Sequence, residues 1–280
     1  MMRIAIIGIG LIGGSMALTL RERKFAGTII GVDANPEHAE QALEMGLVDE
    51  ITNWQEATDR SDIIIVATPI DVTEQIVPGL LLRCRHQVVM DVGSTKKNLC
   101  ATISNSPQRS RFVATHPMWG TEFSGPQSAI SGAFDEKATV ICDQDQSAPD
   151  ALNLIEQLYQ ILGMNIIYMS AEEHDVHVAY ISHISHITSF ALANTVLEKE
   201  KEENTIFELA SGGFESTVRL AKSNPSMWIP ILMQNKENIL DVLNEHIAQL
   251  RKFKACLEKE NYTYLSELIN RANEISRILK

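Results

Sequence analysis

The residues of this chain that could do chemistry are a glycine loop, a set of histidines, a serine and an arginine. Gly8-Ile9-Gly10-Leu11-Ile12-Gly13 follows the apolar run Ile4–Ile7 and precedes a helical pattern. In that setting Gly8 permits a tight turn and Gly10 lets the backbone approach a pyrophosphate. Gly13 lets the helix pack close to the strand while its first N–H groups face the phosphates. Asp33 ends the next apolar run about 20 residues further on, where a carboxylate accepts hydrogen bonds from ribose hydroxyls. It would repel a 2′-phosphate, and Ala34-Asn35-Pro36-Glu37 brings no Arg or Lys to offset that. The loop therefore reads as an NAD site, with Leu11, Ile12 and Thr68 expected beside it.

Ser94 lies just beyond the run Val88–Asp91, at the edge where open α/β sheets bind ligands; its plainer alternative is a helix N-cap. His116 follows the run Phe112–Thr115, and a histidine there can take a hydroxyl proton near neutral pH. His174, His177, His183 and His186 form two His-x-x-His pairs on one helical stretch. At about 100° per residue, His183 and His186 lie about 60° apart and His174 and His183 about 180° apart. One regular helix cannot aim all four at a zinc ion, so no metal is expected. His183 and His186 are read as facing a cleft, His174 and His177 as surface or interdomain residues. Arg219 follows paired glycines in Ser211-Gly212-Gly213-Phe214 and could hold a carboxylate bidentately or pair with a nearby acid.

The elements that must position these residues come in two kinds. As far as Met169, short β-branched runs alternate with amphipathic stretches: Ile4–Ile7, Thr28–Val32, Ile63–Ala67, Val88–Asp91, Phe112–Thr115, Ala138–Cys142 and Asn165–Met169. Such runs suit a parallel sheet covered on both faces. Helix starts are expected at Asn35-Pro36, at Asp71 with Glu74, and at Ser170 with Glu173. After Ser170 only helical spacing is seen. Leu232, Ile239, Leu243, Ile247, Leu250, Phe253 and Leu257 predict one long helix, and Leu265 to Leu279 a second, with Glu198–Glu203 as a solvated helix end. The reading is an α/β Rossmann-type dinucleotide-binding domain over 1–169, followed by an all-α helical domain over 170–280 for substrate binding and dimerisation.

Composition narrows the partners. The net charge of −12 disfavours nucleic acid and anionic membrane. Cys84, Cys100, Cys142 and Cys256 stand far apart, against a disulfide framework and in favour of a reducing cytoplasm. The charge-free run Ile4–Leu20 is broken by four glycines, which argues against a signal peptide or a membrane span.

Taken together, Gly-x-Gly-Leu-Ile-Gly-Gly-Ser at 8–15, Asp-Val-Gly-Ser-x-Lys at 91–96, His-Pro-Met-x-Gly-Thr-Glu at 116–122, Ser-His-x-x-His at 182–186 and Gly-Gly-Phe with Arg219 resemble the prephenate and arogenate dehydrogenases of tyrosine biosynthesis, over essentially the whole chain. The resemblance implies an NAD-dependent oxidative decarboxylation, with His116 and Ser94 as catalytic residues. His116 would receive the proton of the substrate 4-hydroxyl, and Ser94 would orient that hydroxyl or the imidazole. Arg219 would hold the ring carboxylate, His186 with His183 and Ser182 would meet the substrate side chain, and Thr121 would line the pocket. It further implies a homodimer and suggests tyrosine as a feedback inhibitor. No fused mutase domain is expected before the first strand and no regulatory module at the C-terminal end.

Three positions depart from the family pattern. Ser185 replaces a common proline and should leave its helix straighter. Glu215 stands where basic or polar residues are frequent, and Val218 replaces a threonine. Glu215 leaves the choice between a keto acid (prephenate) and an amino acid (arogenate) open, with prephenate first. Two further readings are a β-hydroxyacid or imine-reductase type dehydrogenase, which would use a helical lysine or aspartate, and a non-catalytic NAD sensor. If Asp33 sets cofactor choice, Asp33→Ser combined with Ala34→Arg moves preference toward NADP, and an unchanged ratio of NAD and NADP affinities would remove Asp33 from that role.

Overall fold

The computed structural model describes residues 2–203 and 205–278. In chain order the sheet half runs β1 (Met2–Ile7), α1 (Leu11–Glu22), β2 (Ala26–Val32), α2 (Pro36–Glu44), β3 (Glu50–Ile51), α3 (Trp54–Arg60), β4 (Ile63–Val66), α4 (Ile70–Arg83), β5 (Val88–Asp91), α5 (Lys97–Ile103), β6 (Phe112–Pro117), β7 (Ala138–Cys142), α6 (Pro149–Ile161) and β8 (Asn165–Met169). Helices α7 (Ala171–Val178), α8 (Ile184–Glu203), α9 (Gly212–Val218), α10 (Pro225–Gln234), α11 (Lys236–Glu258) and α12 (Tyr262–Asn273) come after them.

One sheet holds all eight strands in the order β3-β2-β1-β4-β5-β6-β7-β8. Side chains alternate across it. Ile4, Ile6, Ile63 and Ile65 enter one apolar cluster, while Ala5, Ile7, Ile64 and Val66 enter another. This is why the strands read as continuous apolar runs: both faces are covered by helices. Each isoleucine so buried contributes about 1.5–3 kcal/mol. Chain order reverses between β1 and β4, the place where such sheets leave a crevice at their carboxyl ends.

Several details differ from the expectation. The two-residue edge strand β3 has no apolar run to announce it. Strand β7 runs antiparallel to β6, because the loop between them supplies no crossover helix; direction is invisible in an apolar run. Asp71 and Glu74 make no capping box, since α4 starts after Pro69 without a side-chain cap. Asn35 does cap α2, and Ser170 forms a reciprocal box with Glu173. The predicted long helix from Leu232 is two helices, α10 and α11, with Asn235 between them. The second predicted helix ends as α12 with a 3₁₀ turn over Glu274–Arg277, and Leu279 lies outside the described residues.

By packing, the chain divides into two compact units, Met1–Asn235 and Lys236–Lys280. Helices α7 to α10 belong with the sheet, and the second unit is the α11–α12 pair. No described helix is long and apolar enough to cross a membrane. The capping box at Ser170 starts the helix that carries His174. Ser170→Ala should cost about 1 kcal/mol in urea unfolding, and no loss would mean the box contributes nothing.

Candidate active site

The carboxyl edge of β5 is held by a buried ion pair. The Asp91 carboxylate accepts N–H bonds from Gly93 at 2.9 Å and Thr115 at 3.2 Å, and pairs with the Lys96 ammonium. Both side chains are 0% exposed. The turn this imposes leaves Ser94 in a partly accessible bend. Ser94 is not a helix N-cap. That position belongs to Lys96, and the carboxylate that caps α5 comes from α7: Asp175 accepts the N–H groups of Lys96 at 2.8 Å and Lys97 at 3.0 Å.

His116 lies at the carboxyl end of β6, partly accessible. Its Nδ1 is 2.8 Å from His174 Nε2, and His174 Nδ1 is 2.8 Å from Asp175 Oδ1. His174 is therefore not a surface or interdomain residue; it is 0% exposed and touches the candidate base. His177 is exposed. The 180° separation that argued against His174 assumed a regular helix, but residues Ala179–His183 form a π turn between α7 and α8. A π turn inserts a residue into the helical repeat and rotates the side chains beyond it about the axis. The helix at Ser185 is thus regular only after a widened turn. His174 and His183 both end up buried and close enough to interact electrostatically.

Asn235 closes this side of the site. Its amide donates to the Asp175 carbonyl oxygen at 2.6 Å and to His183 Nδ1 at 3.2 Å. His183 Nε2 is buried with no hydrogen-bond partner among the described residues. His186 donates from Nδ1 to the Ser182 carbonyl oxygen at 3.0 Å and stacks on Trp228, ring centroids 3.4 Å apart. Arg219 is at the C-terminal end of α9, half exposed, with Nη1 3.3 Å from Glu122 Oε2. The pair is worth at most about 1 kcal/mol at such exposure, so a substrate carboxylate can compete for the guanidinium. Thr121, in the same loop as Glu122, accepts the Phe123 N–H at 3.3 Å.

The glycine loop fits a dinucleotide. Gly8 has φ +93°, and a Cβ there would stand 2.5 Å from the Ala67 carbonyl oxygen. A Cβ on Gly13 would meet the Gly8 oxygen at 2.1 Å, whereas one on Gly10 would meet nothing within 4 Å. Gly10 thus opens onto free space at an α1 N-terminus that no side chain caps. Asp33 accepts the Ile9 and Asn35 N–H groups, both at 2.9 Å, which fixes its carboxylate beside the loop. Thr68, next to Ala67, bonds Thr73 through its hydroxyl at 2.9 Å. Among the described residues no group of three or more His, Cys, Asp or Glu is placed to hold a metal ion.

Sequence reasoning missed His174, Asp175, Asn235, Trp228, Lys96 and Glu122. Only His174-Asp175 carried a signal, a titratable pair one turn inside a well-capped helix.

A dinucleotide-binding sheet with a serine after β5 and, on the neighbouring β6, a histidine in contact with a further histidine defines a nucleotide-dependent oxidoreductase. Comparison with known proteins makes the class specific. Residues 16–168 match the family described as prephenate dehydrogenase, nucleotide-binding domain, and residues 170–271 match prephenate dehydrogenase, dimerization domain. The chain belongs to the prephenate dehydrogenase family. A prephenate dehydrogenase of Bacillus subtilis is 30% identical over 92% of this chain and 71% of its own length. The structure of A. aeolicus prephenate dehydrogenase in complex with hydroxyphenyl propionate and NAD+ aligns with TM-score 0.91 at 31% identity, covering 99% of this chain and 98% of that one. Synechocystis arogenate dehydrogenase aligns with TM-score 0.79 at 26% identity over 100% of both chains.

Burial keeps these histidines neutral. Desolvation, with His174, Lys96 and His183 nearby, holds His116 well below the usual imidazole range. Desolvation also lowers His174 and His186, and brings His183 down from 6.5 to about 4. The unfolded chain therefore takes up protons below pH 6.5 that the folded one refuses until about pH 4. Stability must fall as pH drops through that window. Melting temperature should decrease steadily from pH 7 to about 4.5, less steeply in His183→Gln, and a flat profile would contradict these buried neutral imidazoles.

Proposed function

We propose that the protein oxidatively decarboxylates prephenate to 4-hydroxyphenylpyruvate and CO₂ in tyrosine biosynthesis, using NAD. The observation that carries this reading is His116 at the carboxyl end of β6 in contact with His174, with Arg219 close enough to His186 to act on it electrostatically. On this reading residues 1–169 serve the cofactor and 170–280 the substrate and the dimer. Gly8, Gly10, Leu11, Ile12, Gly13, Asp33 and Thr68 hold the dinucleotide. When bound, NAD supplies the hydride acceptor.

The substrate 4-hydroxyl hydrogen-bonds His116 and Ser94. As hydride leaves the ring carbon, the O–H bond breaks, its proton passes to His116 and its electron pair forms the C=O bond. The bond to the ring carboxylate then breaks, CO₂ departs, and that electron pair aromatises the ring as a phenolate, which recovers the proton from His116. A neutral imidazole is the form needed for the first step. Arg219 fixes the ring carboxylate without reacting, exchanging its contact with Glu122 for one with the substrate. His183, His186 and Ser182 meet the side chain, and Thr121 lines the pocket.

Arogenate is the second reading. The bond from His186 Nδ1 to the Ser182 carbonyl leaves Nε2 of the neutral ring an acceptor, which suits an ammonium. The match of 170–271 to a dimerization domain, together with half-exposed Leu250 and Ile269 on α11 and α12, supports a homodimer.

Incubation with NAD and either substrate, following NADH and CO₂ together, tests the assignment. NADH without CO₂ would indicate simple alcohol oxidation, and neither product would favour a sensor. His116→Asn should lower kcat by about 10² or more with NAD affinity intact. Arg219→Gln should raise KM by about 10- to 100-fold, the equivalent of about 1.5–3 kcal/mol for a charged hydrogen bond.

A further inference from the structure

We propose that His174 and Asp175 are positioning residues that fix which nitrogen of His116 is basic, an inference that rests on His116 being the proton acceptor. Both oxygens of the Asp175 carboxylate already accept N–H groups at the start of α5, so the group meets His174 as an acceptor. The hydrogen of the 2.8 Å contact between Asp175 Oδ1 and His174 Nδ1 therefore sits on Nδ1. Neutral His174 then has an unprotonated Nε2. The 2.8 Å contact to His116 Nδ1 needs one hydrogen, which must come from His116. His116 is in this way locked as the Nδ1–H tautomer, and Nε2, the nitrogen turned away from His174, keeps the lone pair.

The assignment has a catalytic consequence. In free histidine the two neutral tautomers interconvert and compete; here the wrong one would place two lone pairs, from His116 Nδ1 and His174 Nε2, 2.8 Å apart in a partly buried site. When His116 Nε2 takes the substrate proton, its Nδ1–H points along a chain that ends on the Asp175 charge. The chain thus orients the base and also stabilises its protonated form. The other groups facing the pair are Lys96 and His183 toward His116, and Lys96 and Asp91 toward His174. Lys96 is matched by Asp91, so Asp175 is the negative charge left to answer an imidazolium.

His174 and His183 cannot exchange roles. Asn235 donates to His183 Nδ1, which assigns the hydrogen of His183 to Nε2, the opposite tautomer. Two neighbouring buried histidines are set to opposite hydrogen placements by one carboxylate and one amide.

Two-bond ¹H–¹⁵N correlation of histidine-labelled protein reads the tautomers without substrate, so it stands whatever the true substrate is. His116 is identified by the signal lost in His116→Asn. The expected spectrum shows His116 and His174 protonated on Nδ1 and unprotonated on Nε2. His116 found as the Nε2–H tautomer would overturn the proposal. In kinetics, His174→Gln keeps an amide oxygen for the His116 N–H and should retain kcat within about tenfold. His174→Leu offers no acceptor and should lose about 10² to 10⁴, the scale on which a wrong histidine tautomer acts. Asp175→Asn should leave His174 in mixed tautomers. It should also shift the acid limb of the kcat/KM–pH profile to lower pH, because removing the negative charge makes the base weaker. Equal losses in His174→Gln and His174→Leu at matched melting temperature, or an acid limb unmoved in Asp175→Asn, would reduce both residues to a structural role.

Discussion

The site depends on one carboxylate. Asp175 accepts the N–H groups of Lys96 and Lys97 at the start of α5, orients His174, and through its backbone oxygen accepts the Asn235 amide just after α10. Those groups come from the loop after β5, from α7 and from the last residue of the first compact unit, elements far apart in sequence. A buried helix N-terminus without a partner is costly, and an acidic group there is favoured by both hydrogen bonds and the helix dipole. The same requirement that seats α7 on the sheet edge therefore brings His174 to His116. Structure and chemistry are coupled because one group satisfies both.

A second feature is how charge is distributed. The chain carries a net −12, yet the substrate of the proposed reaction is an anion. Inside the site the buried charges cancel locally, Asp91 against Lys96, and the histidines are neutral. On the proposed reading two features offer attraction for anions, the N-terminus of α1, which no side chain caps, and the half-exposed guanidinium of Arg219. Repulsion from distant surface charges is damped there, since such charges are screened over about 8–10 Å.

The architecture was largely legible because its signals are local. A run apolar on both faces, a glycine loop between strand and helix, and a capped helix start each need only neighbouring residues to be read. The features that escaped did so for physical reasons. A two-residue edge strand has no period, strand direction leaves no mark on an apolar run, and a single Asn235 between two helical patterns does not interrupt the spacing enough to be seen. The misreading of His174 came from applying ideal helix geometry across the π turn at Ala179–His183.

The amino-acid order alone determined the cofactor class and the family resemblance, and it proposed the candidates His116, Ser94, His183, His186 and Arg219, because these rest on residue types at fixed spacing. Which histidines face one another, which hydrogen each carries, and which acid waits on Arg219 were decided only in three dimensions. Hydrogen-bond pairing acts between groups brought within about 3 Å of each other, and no spacing along the chain measures that distance.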